Sequence, residues 1–395
     1  MAHWPPDPRL TGRPPVLITS LLFLTTLFVA YANGANDNFK GVATLYGSGA
    51  ATYKTAIALA TVATLAGSLS SVYLATALMQ AFSGMGLVPA EIAASPDFVL
   101  AAAAGAGATV LLATLLGLPV STTHALTGAL TGTGLLAAGT RLDFAHWGTG
   151  FLVPLVLGPV LAVLLTIPFY RALRVLAGRF DIKRESCICV GAKEFIPIRQ
   201  LQYNAAIGQF TLPAPATVGA AVGTRDGCVE RYQGRLLGVS AHGLVNALHY
   251  LSAGIVSFAR GLNDTPKIAG LLLVAQALNV EFGVQAIATA MAAGGLLNAR
   301  KVALTMSKRI SRMNEGQALA ANMVTGLLVI LASRFGLPVS TTHVSVGAIS
   351  GIGIMNGSAD KGVLGGILAS WLLTLPVAAI IGALIYALTG FFHLS

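Results

Sequence analysis

The eight residues Gly117-Leu118-Pro119-Val120-Ser121-Thr122-Thr123-His124 return without change as residues 336–343. Such identity within one chain marks an internal duplication, and a duplicated chain folds as two related halves. A second element recurs ahead of each octet. Gly34, Asn36, Asp37 and Lys40 set a G-x-N-D-x-x-K pattern that Gly261, Asn263, Asp264 and Lys267 repeat. The interval from Asp to Ser is 121 − 37 = 84 positions in the first copy and 340 − 264 = 76 in the second. Order and approximate spacing are both kept.

What such halves can bury is set by composition. The chain is 55% hydrophobic and 10% charged, against roughly 25% charge in soluble domains. Apolar runs of about 20 residues, long enough to cross hydrocarbon, recur along it. The reading is an all-α polytopic membrane protein. Its net charge of +10 fits basic cytoplasmic loops, and no interleaving of basic and aromatic residues suggests nucleic acid. Cys187, Cys189 and Cys228 are an odd set with no His or fourth Cys nearby, so free thiols are expected rather than disulfides or a metal site.

In order, residues 1–15 read as a polar tail, 16–177 as the first membrane repeat, 178–235 as a cytoplasmic linker and 236–395 as the second repeat. Spans are expected at 16–32, 54–82, 98–116, 125–139 and 147–176, then at 236–259, 268–299, 317–333, 344–354 and 363–392. Residues 33–37 are expected to break the first helix, and 279–283 to bend the seventh. The loop at 83–97 has no Lys or Arg, whereas 300–315 carries Arg300, Lys301, Lys308, Arg309 and Arg312. The positive-inside rule puts the first outside and the second inside, so the halves are inverted, with about five segments each. Inverted repeats with interrupted or re-entrant helices are a recurring plan of secondary transporters, with the site near the midplane.

Ionisable groups inside membrane segments are costly and usually functional. Here they are Asp37 and Lys40, with Arg260, Asp264 and Lys267. Asp37 and Asp264, helped by Asn36 and Asn263, suit a small hard cation such as Na⁺, or either Asp carries H⁺. The amides beside the carboxylates favour Na⁺. A buried Asp–Lys pair pinning a broken helix is the structural alternative. The octets suit an anion. Pro119 and Pro338 fit the first position of a helix. Ser121, Thr122, Thr123, Ser340, Thr341 and Thr342 would then offer hydroxyls and free N–H groups at its positive end, or serve as plain N-caps. His124 and His343 donate to the anion, relay a proton or bond a backbone carbonyl. His242, Asn246 and His249 lie at helical spacing but lack a third metal ligand.

With G-A-N-D at 34–37 and P-V-S-T-T-H in both halves, the chain resembles the inorganic phosphate transporters, the PiT-type permeases, over essentially its whole length. The resemblance implies inverted repeats, cation-coupled uptake of inorganic phosphate across the cell membrane, and dimers. It implies ion and phosphate contacts for Asn36, Asp37, Asn263 and Asp264, with the octet hydroxyls around the phosphate. Many members continue G-A-N-D-V-A-N-A, whereas this chain has Asn38-Phe39-Lys40-Gly41. The second Asn is absent from its usual place, and Lys40 and Lys267 become candidates for sharing the anion.

The expected function is therefore secondary active uptake of phosphate driven by Na⁺ or H⁺, with no other cofactor and no enzymatic step. A sulfate or other oxyanion permease of the same fold is the nearest alternative. A membrane phosphatase and an anion channel are more distant ones.

Overall fold

The computed structural model describes residues 16–179, 186–192, 202–204, 209–211, 218–224, 239–274, 279–310 and 313–393. The expected N-terminal tail, Cys228 and most basic residues of the linker lie outside the described residues. Among the described residues the long elements are helices: α1 (Val16–Asp37), α2 (Tyr53–Leu74), α3 (Pro96–Leu115), α4 (Thr122–Ala138), α5 (Val153–Arg179), α6 (Ala241–Ala269), α7 (Val280–Asn298), α8 (Glu315–Arg334), α9 (Thr341–Asn356) and α10 (Lys361–His393). Their starts carry ordinary caps. Thr52 accepts from Thr55 N ahead of α2, Pro96 opens α3, and Asn314 with Gln317 forms a capping box on α8. The side-chain caps satisfy backbone donors that the helices themselves cannot, and Pro96 has no N–H to leave unpaired.

Among the described residues, seven helical segments are long and apolar enough to cross a membrane, and residues such as Leu164, Leu297, Leu372 and Leu384 are exposed on them. The chain is a multi-pass helical membrane protein. Of the expected spans, the two that follow the octets are too short for the full thickness. At 17 and 16 residues, α4 and α9 reach about 24–26 Å, short of the roughly 30 Å hydrocarbon layer. The helix α6 is long but carries Arg260, Asp264 and Lys267.

Three expectations are corrected. Residues 33–37 do not break the first helix, which runs through Asp37 before a 3₁₀ turn at Lys40–Val42. The Asn36 amide bonds Thr114 and Leu118 on another segment, so it does not compete with its own backbone. The expected span 268–299 is divided, because α6 ends in a 3₁₀ turn at Gly270–Val274 and α7 begins anew with Asn279 as its cap. Residues 300–309, expected as a loop, are helical, as Arg300–Leu304 and a π turn at Thr305–Arg309.

The duplication is visible in the packing. Gly34 on α1 lies so close to α7 that an added Cβ would sit 1.9 Å from Met291 O, and Gly261 on α6 lies against Thr64 O of α2 at 2.2 Å. Gly294 and Gly67 repeat the contact, since a Cβ added at either would sit 2.0 Å from a backbone oxygen, of Tyr31 and Phe258 respectively. Corresponding residues are separated by the same offset in the chain, so the α1–α7 crossing recurs as α6–α2. Likewise Gly128 of α4 meets Leu375 O of α10, and Gly347 of α9 meets Pro159 O of α5. Only residues without a Cβ allow backbones this close.

The stretch Arg171–Leu248 forms a separate compact unit. Within it, β1 (Ser186–Ala192) pairs antiparallel with β4 (Val218–Thr224) and with β5 (Val239–Ser240), and β2 (Gln202–Asn204) pairs with β3 (Gln209–Thr211). Cys187 lies opposite Gly223 in the β1–β4 register. These strands are short and mix Gly and Ala with apolar residues, so no alternating pattern announces them.

Candidate functional site

Each octet joins one helix to the next, and every residue type in it has a local task. Gly117 has φ of +73° and Gly336 of +69°, left-handed values that strain any residue with a Cβ. Gly117 N donates to Thr114 O at 3.0 Å and Leu118 N to Ala113 O at 2.9 Å; Gly336 and Leu337 repeat this on Ser333 and Ala332. This pattern closes the carboxyl ends of α3 and α8. Pro119 and Pro338 follow that closure and do not open a helix, contrary to expectation, because two residues separate each from the next helical turn. Ser121 and Ser340 are the N-caps, accepting from His124 N at 3.1 Å and His343 N at 3.2 Å. Thr122, Thr123, Thr341 and Thr342 thus lie in first turns, where N–H groups lack intrahelical partners.

The two N-D elements end on these octets. Asn36 Nδ2 donates to Thr114 Oγ1 at 2.9 Å and to Leu118 O at 3.0 Å. In the other half, Asn263 Oδ1 accepts from Ser333 Oγ at 3.2 Å, and Asn263 Nδ2 donates to Val339 O at 3.2 Å. The lysines then cross between halves. Lys40 Nζ donates to Asn36 Oδ1 at 2.8 Å, Val120 O at 2.6 Å, Thr342 Oγ1 at 2.7 Å and Asp37 Oδ1. Lys267 Nζ donates to Thr123 Oγ1 at 2.8 Å, Val339 O at 2.6 Å and Asp264 Oδ1 at 3.4 Å. Each ammonium therefore touches one carboxylate, one octet carbonyl and one hydroxyl of the opposite octet.

Asn33, which carried no expected role, and Arg260, expected only as one of the intramembrane charges, stand between the halves. Asn33 Nδ2 donates to Asp37 Oδ2 at 3.1 Å, Thr122 Oγ1 at 2.9 Å and Asp264 Oδ2 at 3.2 Å, so one amide bridges both carboxylates. Arg260 donates to Asn33 Oδ1 at 2.6 Å, Asn38 Oδ1 at 3.0 Å and Thr64 Oγ1 at 3.1 Å, while its Nε lies 3.7 Å from Asp264 Oδ2. Asp37, Lys40, Arg260, Asp264 and Lys267 are all 3% exposed or less. Buried charges must be paired and hydrogen-bonded to be tolerated, and these are. Three cations against two carboxylates leave one positive charge in excess. Asn33 and Arg260 occupy equivalent positions of the duplicated helices, just ahead of each G-x-N-D. That shared position was the signal available in the sequence.

The phosphate transporter family profile matches residues 33–382. The chain belongs to the phosphate transporter family. A relative in Pyrococcus abyssi, named as a phosphate permease, is 28% identical over 94% of this chain and 97% of its own length. The inorganic phosphate transporter 2-1, chloroplastic, of Arabidopsis thaliana is 26% identical over 95% of this chain and 73% of that one. A solved structure titled "The sodium-dependent phosphate transporter" shares the fold with a TM-score of 0.71 at 22% identity, over 95% of this chain and all of that one. The protein is a membrane transporter and not an enzyme.

The transporter's octet histidines meet each other. The rings of His124 and His343 are 4.4 Å apart, and His343 stacks on Trp371 at 3.6 Å. Trp371 Nε1 donates to Pro119 O at 3.2 Å, and His343 Nδ1 lies 3.5 Å from Leu155 O. His124 Nδ1 and His343 Nε2 find no hydrogen-bond partner among the described residues. His249 lies apart from this group. Its Nε2 lies 3.1 Å from Thr44 Oγ1, which in turn reaches Asn322 Oδ1 at 3.1 Å. The His242 side chain falls outside the described set.

Proposed function

We propose that this transporter carries inorganic phosphate into the cytoplasm by secondary active transport, coupled to an H⁺ or Na⁺ gradient across the cell membrane. The carrying observation is the excess positive charge held in a closed site between two helix starts. A desolvated site with one uncompensated positive charge favours a singly charged anion. Inorganic phosphate supplies a monoanion near neutral pH, whereas sulfate is a dianion throughout.

In this reading the first-turn N–H groups and the hydroxyls of Thr122, Thr123, Thr341 and Thr342 turn to the phosphate, with Asn36 and Asn263 beside them. Ser121 and Ser340 hold the helix starts in place. Lys40 and Lys267 supply positive charge, and Asp37 and Asp264 hold cations. The near-complete burial of these groups fits an occluded stage of alternating access.

Inverted halves belong to the same proposal, and α3 supports them. Residues 83–95 lead into its first turn, while Lys301 Nζ donates to Leu115 O at 2.8 Å and Thr305 Oγ1 to Gly117 O at 2.9 Å at its far end. A 20-residue helix separates its ends by about 30 Å, the thickness of the hydrocarbon layer. The loop without Lys or Arg and the basic segment thus belong to opposite ends of one span.

The test is labelled-phosphate uptake into proteoliposomes. Accumulation above the external concentration, with sulfate a poor competitor, is the expected result. Equal competition by sulfate, or mere equilibration, would overturn the reading.

A further inference from the structure

We infer that the Lys40 and Lys267 ammonium groups are built-in cations, seated where a free coupling cation would otherwise bind, so that transport by this chain does not require Na⁺. Around Lys40 Nζ stand a carboxylate oxygen of Asp37, the amide oxygen of Asn36, the carbonyl of Val120 and the hydroxyl of Thr342. Around Lys267 Nζ stand a carboxylate oxygen of Asp264, the carbonyl of Val339 and the hydroxyl of Thr123. Every hydrogen-bond partner is an oxygen, and together they are the donor types that a hard metal cation selects. The occupant in both halves is instead a side chain of the protein.

An ammonium has three N–H donors and no acceptor. Lys267 uses all three on protein oxygens, and Lys40 faces four acceptors with three donors. Neither is a loose basic arm reaching for substrate. Both hold the oxygens in the arrangement that a bound cation would impose, joining the first octet to the second from either side.

The charge count points the same way. With both lysines in place, the five buried charges sum to one positive, which a monoanion neutralises. Adding two Na⁺ ions would raise the excess to three, in a region that excludes water. A tethered cation also cannot be released on the far side of the membrane, so these two cages cannot draw work from a Na⁺ gradient. The exchangeable cation left is the proton, which enters with the phosphate itself or on a carboxylate.

The inference rests on the phosphate-carrier reading for its substrate, but part of its test does not. Purified wild-type protein should show the same melting temperature in Na⁺ and in choline at equal ionic strength. Lys40→Asn and Lys267→Asn, which open a cage while adding an amide oxygen, should melt lower in choline and recover in Na⁺. A wild-type melting temperature that climbs with Na⁺ would overturn the inference whatever the substrate.

In proteoliposomes, wild-type phosphate uptake should change less than about twofold between Na⁺ and choline. Uptake by each variant in choline should fall roughly tenfold or more, as expected when a buried carboxylate loses its partner, and Na⁺ should restore it. Wild-type uptake that collapses without Na⁺ would overturn the inference even if neither variant folds. Absence of phosphate uptake under every condition would instead overturn the phosphate reading, with the melting experiment still deciding the lysines.

Discussion

Lys40 of the first half donates to Thr342 Oγ1 of the second at 2.7 Å. Its counterpart Lys267 returns the contact to Thr123 Oγ1 of the first half at 2.8 Å. The two halves thus share one charged centre. Neither octet is complete without the lysine of the other copy, and this crossing organises the expectations that follow.

Thr122 Oγ1 accepts from Asn33 and donates to Asp37 Oδ2 at 3.2 Å. Thr122→Ala removes a hydroxyl from two buried partners and should cost about 1–3 kcal/mol. Thermal melting and phosphate uptake should both fall. Wild-type values for both would show that this hydroxyl neither holds the site nor faces the substrate.

The octet glycines should be unequal. Gly117→Ala meets nothing closer than Lys301 Cβ, at 3.5 Å, and so bears mainly the left-handed backbone, worth about 1–2 kcal/mol. Gly336→Ala bears the same strain and also places its Cβ 2.8 Å from Ala77 Cβ. Melting temperatures should rank wild type, then Gly117→Ala, then Gly336→Ala. The reverse order of the two variants would contradict the assignment.

Arg260 serves Asn33, Asn38 and Thr64 through a planar fork that lysine cannot reproduce. Arg260→Lys keeps the charge but loses two or more hydrogen bonds, so it should destabilise by about 2–4 kcal/mol and lower uptake. If charge alone matters, the variant will transport normally.

Much of this centre was legible in the sequence and part was not. The repeated octet and the two N-D elements marked Asp37, Lys40, Asp264, Lys267 and the threonines, because intramembrane charges at matched positions have few innocent explanations. In the sequence Arg260 stands out as an intramembrane charge but without a partner, and Asn33 does not stand out at all, since the two residue types differ and so hide the equivalence of their positions. The serines read either as anion ligands or as caps, and local bonding to His124 N and His343 N shows them as caps. Asn and Asp favour a break at 33–37 locally, whereas here tertiary partners satisfy them; at 268–299 the expected bend is instead a full helix start, because Asn279 caps α7. The strands of Arg171–Leu248 had no periodic signal at all.

Topology admits a direct check. With native cysteines replaced, Met85→Cys in the loop without Lys or Arg should react with an impermeant thiol reagent from outside. Arg300→Cys should react only after permeabilisation. Labelling of both from one side would rule out inverted halves.

The shared centre itself is tested most directly by the stoichiometry of phosphate binding, measured by calorimetry on purified protein. One phosphate per chain is the predicted result, with affinity lowered by Thr123→Ala and by Thr342→Ala alike. Two phosphates per chain, or a loss confined to half of the sites in either variant, would show that each half binds for itself and would contradict the account.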